Sequence, residues 1–139
     1  MNENKSLRVD NYCFVCGKEN PKGLKVKFIT SNGKVKAEMV LDKEYQGYSG
    51  IIHGGIIAAL LDEACAYAAI FLGYYTVTAE IKIRYKNILK PGEKIIIEAE
   101  ANQIKSKLIK AKAQIRNVEN ILIAEAEGKL IIKEKIEKS

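Results

Sequence analysis

The feature that most constrains this chain is an apolar run from Ile56 to Leu72 that carries an adjacent pair of carboxylates, Asp62 and Glu63, at its middle. From Gly54 to Leu72 the pattern reads as a helix, closed by Gly73, because glycine accepts the left-handed conformation at a helix end. Ile56, Ile57, Leu60, Leu61, Ala64, Ala68 and Phe71 form one broad face, while Ala58, Ala59, Cys65, Ala66 and Ala69 keep the remainder small. A helix with so little polar surface is expected to be buried on most sides. The run is nearly long enough to cross a bilayer, but each central charge would cost about 2.5 to 3.5 kcal/mol there, so no membrane span is expected.

Strand signals supply the cover. Leu24, Val26 and Phe28 alternate with Lys25 and Lys27, Ser31-Asn32-Gly33 makes a turn, and Val35, Ala37, Met39 and Leu41 alternate with Lys34, Lys36 and Glu38. This predicts a hairpin with one wet face. After the helix, Thr76 to Tyr85, Ile95 to Ala101, Leu108 to Val118 and Ile121 to Lys133 read as strands, with Lys90-Pro91-Gly92-Glu93 as a turn. One apolar helix among six strands implies an antiparallel sheet wrapped around it, which is α+β architecture. No repeat or linker divides the 139 residues, so residues 1–10 are read as a polar tail and 11–139 as one domain.

The formal charge of +6 makes the surface attractive to anions. The lysines are spread from Lys5 to Lys138, and the nearest thing to a stripe, Lys105, Lys107, Lys110 and Lys112, has no aromatic residues between its members for base stacking. Nucleic acid is therefore not the expected partner. The polar N-terminus lacks the apolar core of a secretory signal, which gives a cytoplasmic expectation. Cys13 and Cys16 form half a zinc motif with no second Cys or His pair to complete it, so they are read as small packed thiols and no metal is expected.

Carboxylates inside an apolar helix need a reason, because burying one without a partner is costly. Either the pair faces a surface or intersubunit boundary and solubilises that strip, or it serves a site; adjacent helical residues point about 100° apart, so only one of the two is expected to do the latter. A second anomaly precedes them: Ser49-Gly50-Ile51-Ile52-His53-Gly54-Gly55 opens the helix with glycines and the only histidine in the chain. Glycines at a helix N-terminus let a ligand reach backbone N–H groups, which suits an oxyanion.

Gln46-Gly47-Tyr48-Ser49-Gly50-Ile51-Ile52-His53-Gly54-Gly55 followed by Leu60-Leu61-Asp62-Glu63-Ala64 resembles the PaaI-like acyl-CoA thioesterases of the hotdog-fold superfamily. The similarity extends from Cys13-Phe14-Val15-Cys16-Gly17 through Asn20-Pro21-Lys22-Gly23-Leu24 and Ile81-Lys82-Ile83-Arg84-Tyr85 to Lys133. It implies a hotdog fold, a homodimer or homotetramer with sites at the subunit interface, and an acyl-CoA substrate without a further cofactor. By the resemblance Asp62, nine residues after His53, is the general base or nucleophile, with Glu63 its rival, and the Gly54 N–H is the oxyanion donor. His53, Gly55, Gln46 and Thr78 take substrate-binding places, and Lys86 and Lys90 are candidates for coenzyme A phosphates. A non-catalytic acyl-CoA binder is the alternative. A hotdog dehydratase ranks lower, because Gly-Gly follows His53 where such enzymes have Phe-Pro. The acyl group is not legible.

Overall fold

The computed structural model describes residues 9–137. Of the expected N-terminal tail, residues 1–8 lie outside that range. Its elements run β1 (Ile29–Ser31), β2 (Lys34–Val40), a short 3-10 turn (Lys43–Tyr45), α1 (Gly54–Leu72), β3 (Tyr74–Tyr85), β4 (Lys94–Lys105), β5 (Leu108–Asn117) and β6 (Leu122–Lys135). All strands join one antiparallel sheet in the order β1-β2-β4-β5-β6-β3. The expected α+β, hotdog-like arrangement is what forms, with two strands before the helix and four after it.

The helix-facing side of the sheet explains how one helix can pack so closely against it. Its centre is lined by Ala99, Ala111, Ala113, Ala124 and Ala126, all buried, with larger Ile95, Ile97, Ile109, Ile115 and Leu130 around them. Small side chains there let the backbone of α1 approach the sheet. A Cβ on Gly128 would sit 3.6 Å from the sulfur of Cys65, which puts α1 in direct contact with β6. Ile57, Leu60, Leu61, Ala64, Cys65, Ala68 and Ala69 are the buried residues of the helix.

The expectation of a helix buried on most sides needs correction. Ala58, Ala59, Asp62, Glu63 and Ala66 are only half-buried, and Phe71 is 48% exposed. One sheet covers one side of a helix, so the opposite strip is packed less completely, with the N-terminal loop meeting it at Glu63 and Tyr67.

The hairpin forms tightly at Asn32-Gly33, where φ values of 53° and 77° at the two residues fit a turn whose twist matches that of its strands. The first strand is misplaced by the sequence pattern. Leu24 to Phe28 do not join the sheet as a regular strand: Lys25 has φ 57°, and the N–H groups of Leu24 and Val26 donate to the carbonyls of Phe14 and Val15. Leu24 and Val26 are nonetheless buried, so the alternation reflected burial correctly and strand geometry incorrectly. The chain closes α1 at Gly73, with φ 104° and its N–H donating to the carbonyls of Ala69 and Ile70.

Candidate active site

The segment before α1 is held by hydrogen bonds that aim the helix start. Gln46 pairs with Ile52 as an isolated bridge, and its side-chain Oε1 accepts from the Gly50 N–H at 3.2 Å. The N–H groups of Ile52 and His53 donate to the carbonyls of Leu89 and Tyr45 at 2.9 and 2.8 Å. His53 is the N-cap residue: its backbone is extended, and Nδ1 accepts from the Gly55 N–H at 2.8 Å. An accepting Nδ1 carries no proton, so the imidazole proton sits on Nε2.

Gly54 follows as the first helical residue. Its carbonyl accepts from the Tyr85 hydroxyl at 2.8 Å, while its N–H has no partner among the described residues. That is the usual state of a first-turn N–H, and it leaves a donor at the positive end of the helix dipole. Beside it lies a cleft of about 300 Å³ bordered by Ile51, Gly54, Tyr85, Lys86, Asn87 and Ile88. Lys86 thus borders the same cleft as Gly54.

Asp62 lies two turns further along α1 and is half-buried. Thr78 Oγ1 donates to its Oδ1 at 2.7 Å. Thr78 sits on β3 where the register with β6 shifts between Thr78 and Glu80, and such bulges re-aim a side chain relative to a regular strand. The Cys65 thiol, one turn on, is fully buried, and burial together with the Asp62 charge pushes its pKa from 9.0 up to about 12. Glu63 points elsewhere: its Oε2 accepts from the Cys13 thiol at 3.6 Å, on the side of the N-terminal loop. The two adjacent carboxylates are therefore separated by the turn of the helix, one facing Thr78 and the other facing Cys13.

The structure brings Asp62 and Thr78 together, and gathers Gln46, His53, Gly54 and Gly55 at the helix start. It does not bring these two groups together within one chain. Eight residues at 1.5 Å per residue put Gly54 and Asp62 about 12 Å apart along the axis. A single reacting carbonyl cannot touch both. β3, which carries Thr78, is an edge strand of the sheet, and its exposed backbone faces outward with Val77 and Tyr85 exposed beside it.

Comparison with known proteins adds a family. The family model of the thioesterase superfamily matches residues 49–124. A putative esterase of Archaeoglobus fulgidus is 35% identical over 96 residues, which is 69% of this chain and 62% of that protein. An acyl-coenzyme A thioesterase of Xenopus laevis is 28% identical over 88 residues, 63% of this chain and 40% of that protein. The chain thus spans under two thirds of the length of either curated relative. Among solved structures, a thioesterase superfamily protein superimposes with a TM-score of 0.82 at 27% identity, covering 88% of this chain and 61% of that one. A hypothetical thioesterase from Streptococcus pneumoniae with coenzyme A gives 0.76 at 20% identity over 81% and 88% of the two chains. The Escherichia coli PaaI protein gives 0.74 at 20% identity over 81% and 83%.

Proposed function

The chain belongs to the thioesterase superfamily, and we propose that it hydrolyses acyl thioesters, with acyl-coenzyme A as the substrate class and Asp62 as the catalytic carboxylate. The observation that carries this reading is the Thr78–Asp62 pair, a carboxylate fixed at 2.7 Å by a hydroxyl on the less completely packed strip of an otherwise apolar helix.

In the proposed reaction, Asp62 takes a proton from water as the water oxygen attacks the thioester carbonyl. The Gly54 N–H of a second copy of the chain receives the developing negative charge, and the tetrahedral intermediate collapses by breaking the C–S bond. The departing thiolate takes the proton back from Asp62, leaving a free acid and a thiol. Thr78 holds the carboxylate in line for both transfers. The separation of Gly54 and Asp62 supports a site shared between two subunits, and the edge position of β3 supports a homodimer joined there.

The relatives support the substrate class: one is named for acyl-coenzyme A hydrolysis, and the streptococcal neighbour is held with coenzyme A. That neighbour has also been solved with one aspartate and one threonine, sixteen residues apart, replaced by alanine. Asp62 and Thr78 stand at the same separation. Lys86 beside the cleft and the net charge of +6 suit the phosphates of coenzyme A.

The test is thiol release from a panel of acyl-coenzyme A esters by the parent protein and Asp62→Asn. The reading requires release by the parent and its loss in the variant. Equal rates overturn the role of Asp62, and tight binding of the esters without release identifies a binding protein instead.

A further inference from the structure

We propose that Cys13, Cys16 and Glu63 form a zinc site that pins the N-terminal loop to the middle of α1. The sequence holds only half of a zinc motif, but folding supplies a third ligand from a residue 50 positions away. The two sulfurs and a carboxylate oxygen of Glu63 lie within 4.8 Å of one another, and all three residues are half-buried. In a tetrahedral zinc site, bonds of about 2.0 to 2.3 Å place ligand atoms about 3.5 to 3.8 Å apart, so closure needs a shift of about an ångström. Two soft thiolates and a carboxylate suit zinc among divalent cations, with water as the fourth ligand.

The loop is built to present both sulfurs at one point. Gly17 donates to the Cys13 carbonyl at 2.9 Å, and a Cβ on Gly17 would lie 2.4 Å from the Asn11 carbonyl oxygen, so only glycine fits after the second cysteine. Glu19 N–H donates to the Asn11 carbonyl, and Leu24 and Val26 tie the same loop to the buried core. Two donors already point at the sulfurs: the Cys16 N–H at 3.5 Å from Cys13 Sγ, and the Tyr67 hydroxyl at 3.3 Å from Cys16 Sγ. Donors of this kind orient the sulfurs toward a metal. The Cys13 thiol donates to Glu63 at 3.6 Å, which is a proton standing where a cation would sit. Zinc binding is a substitution without redox change: the two thiol protons leave to solvent as two Zn–S bonds and one Zn–O bond form.

This also gives Glu63 a reason to occupy an apolar helix. It is independent of the hydrolytic reading, since no step of that reaction uses these residues.

The experiment is metal analysis of the untagged protein, purified without chelator and then equilibrated with zinc, followed by cobalt substitution. The expected result is one zinc per chain, a cobalt spectrum with thiolate charge-transfer and tetrahedral ligand-field bands, and a melting temperature lowered by chelator and restored by zinc. Cys13→Ser, Cys16→Ser and Glu63→Gln should each weaken zinc binding, the cysteine changes by about 100-fold or more. Should a variant fail to fold, the cobalt spectrum of the unsubstituted protein decides alone. Zinc that remains substoichiometric at micromolar free metal, absent thiolate–cobalt bands, or a mass showing a Cys13–Cys16 disulfide in place of metal would each overturn the proposal.

Discussion

Thr78 on β3 donates a hydrogen bond of 2.7 Å to Asp62 on α1, and this one contact ties an edge strand to the middle of the helix. A hydrogen bond to a charged group is worth about 1.5 to 3 kcal/mol, so its loss should be visible in the rate as well as in stability. Asp62→Asn is expected to lower kcat by about 10²- to 10⁴-fold, the range for removal of a general base. Thr78→Ala should lower it by about 10- to 100-fold on the same free-energy scale, with Thr78→Ser recovering most of the loss. Glu63→Gln should cost much less than Asp62→Asn, because Glu63 faces Cys13. Steady-state thiol release on the four variants checks all of this, and a larger loss at Glu63 than at Asp62 would reverse the assignment.

Gly54 offers a cleaner probe of the oxyanion donor than a side-chain change can. Proline is favoured at the first position of a helix, where its missing N–H breaks no intrahelical bond. His53 before it has φ −60° and ψ 131°, the extended conformation that a following proline prefers. Gly54→Pro should therefore fold and melt close to the parent while kcat falls by about 10²- to 10³-fold, the cost of one oxyanion donor. Unchanged kcat in a folded variant would remove Gly54 from the reaction.

His53 caps α1 through Nδ1, so its first measurable role is in stability. His53→Ala should cost about 1 kcal/mol, and His53→Asn, which also caps well, should cost markedly less. Urea midpoints at one fixed protein concentration give the comparison. If His53→Ala unfolds at the same midpoint as the parent, the cap carries no stability.

Cys65 makes the fold sensitive to alkali. Its thiol ionises near 9.0 in the unfolded chain and is pushed to about 12 in the folded one, first by burial and then by Asp62. Below pH 9.0 the proton is bound in both states and the stabilisation is fully present. As pH rises from there toward about 12, the unfolded chain loses a proton that the folded chain keeps, so stability falls by up to about 1.4 kcal/mol per pH unit. Denaturation midpoints measured from pH 8 to about 10.5 should fall more steeply for the parent than for Cys65→Ala, in which this contribution is removed.

Much of this was legible in the sequence because local signals and burial agreed. The helix limits follow from Gly54 and Gly73, the hairpin from Asn32-Gly33, and the four later strands from alternation that the sheet keeps. Leu24 to Phe28 failed because alternation reports which side chains are buried, not whether the backbone joins a sheet, and the positive φ of Lys25 has no strong signal in a lysine. Asp62 is ranked over Glu63 in the sequence by its nine-residue step from His53, and the fold adds what each carboxylate meets, a residue 16 or 50 positions away. The proposed zinc role of Cys13 and Cys16 lies beyond the sequence for the same reason, since a carboxylate distant in sequence completes no spacing pattern.

The distance between Gly54 and Asp62 leads to the sharpest test of a shared site. At about 12 Å along one helix they cannot serve the same carbonyl, so each proposed site takes Gly54 from one subunit and Asp62 from the other. Gly54→Pro and Asp62→Asn should each be inactive alone. In a mixed dimer, one site receives both changes and the other receives neither. Random pairing from equal co-expression makes half of all dimers mixed, each with one intact site, so activity should return to about a quarter of the parent value. Purifying the mixed dimer with two different affinity tags should raise that to about half. If activity stays at the level of the separate variants although mixed dimers are recovered, both groups act within one chain or one of them does not act, and the shared site is wrong.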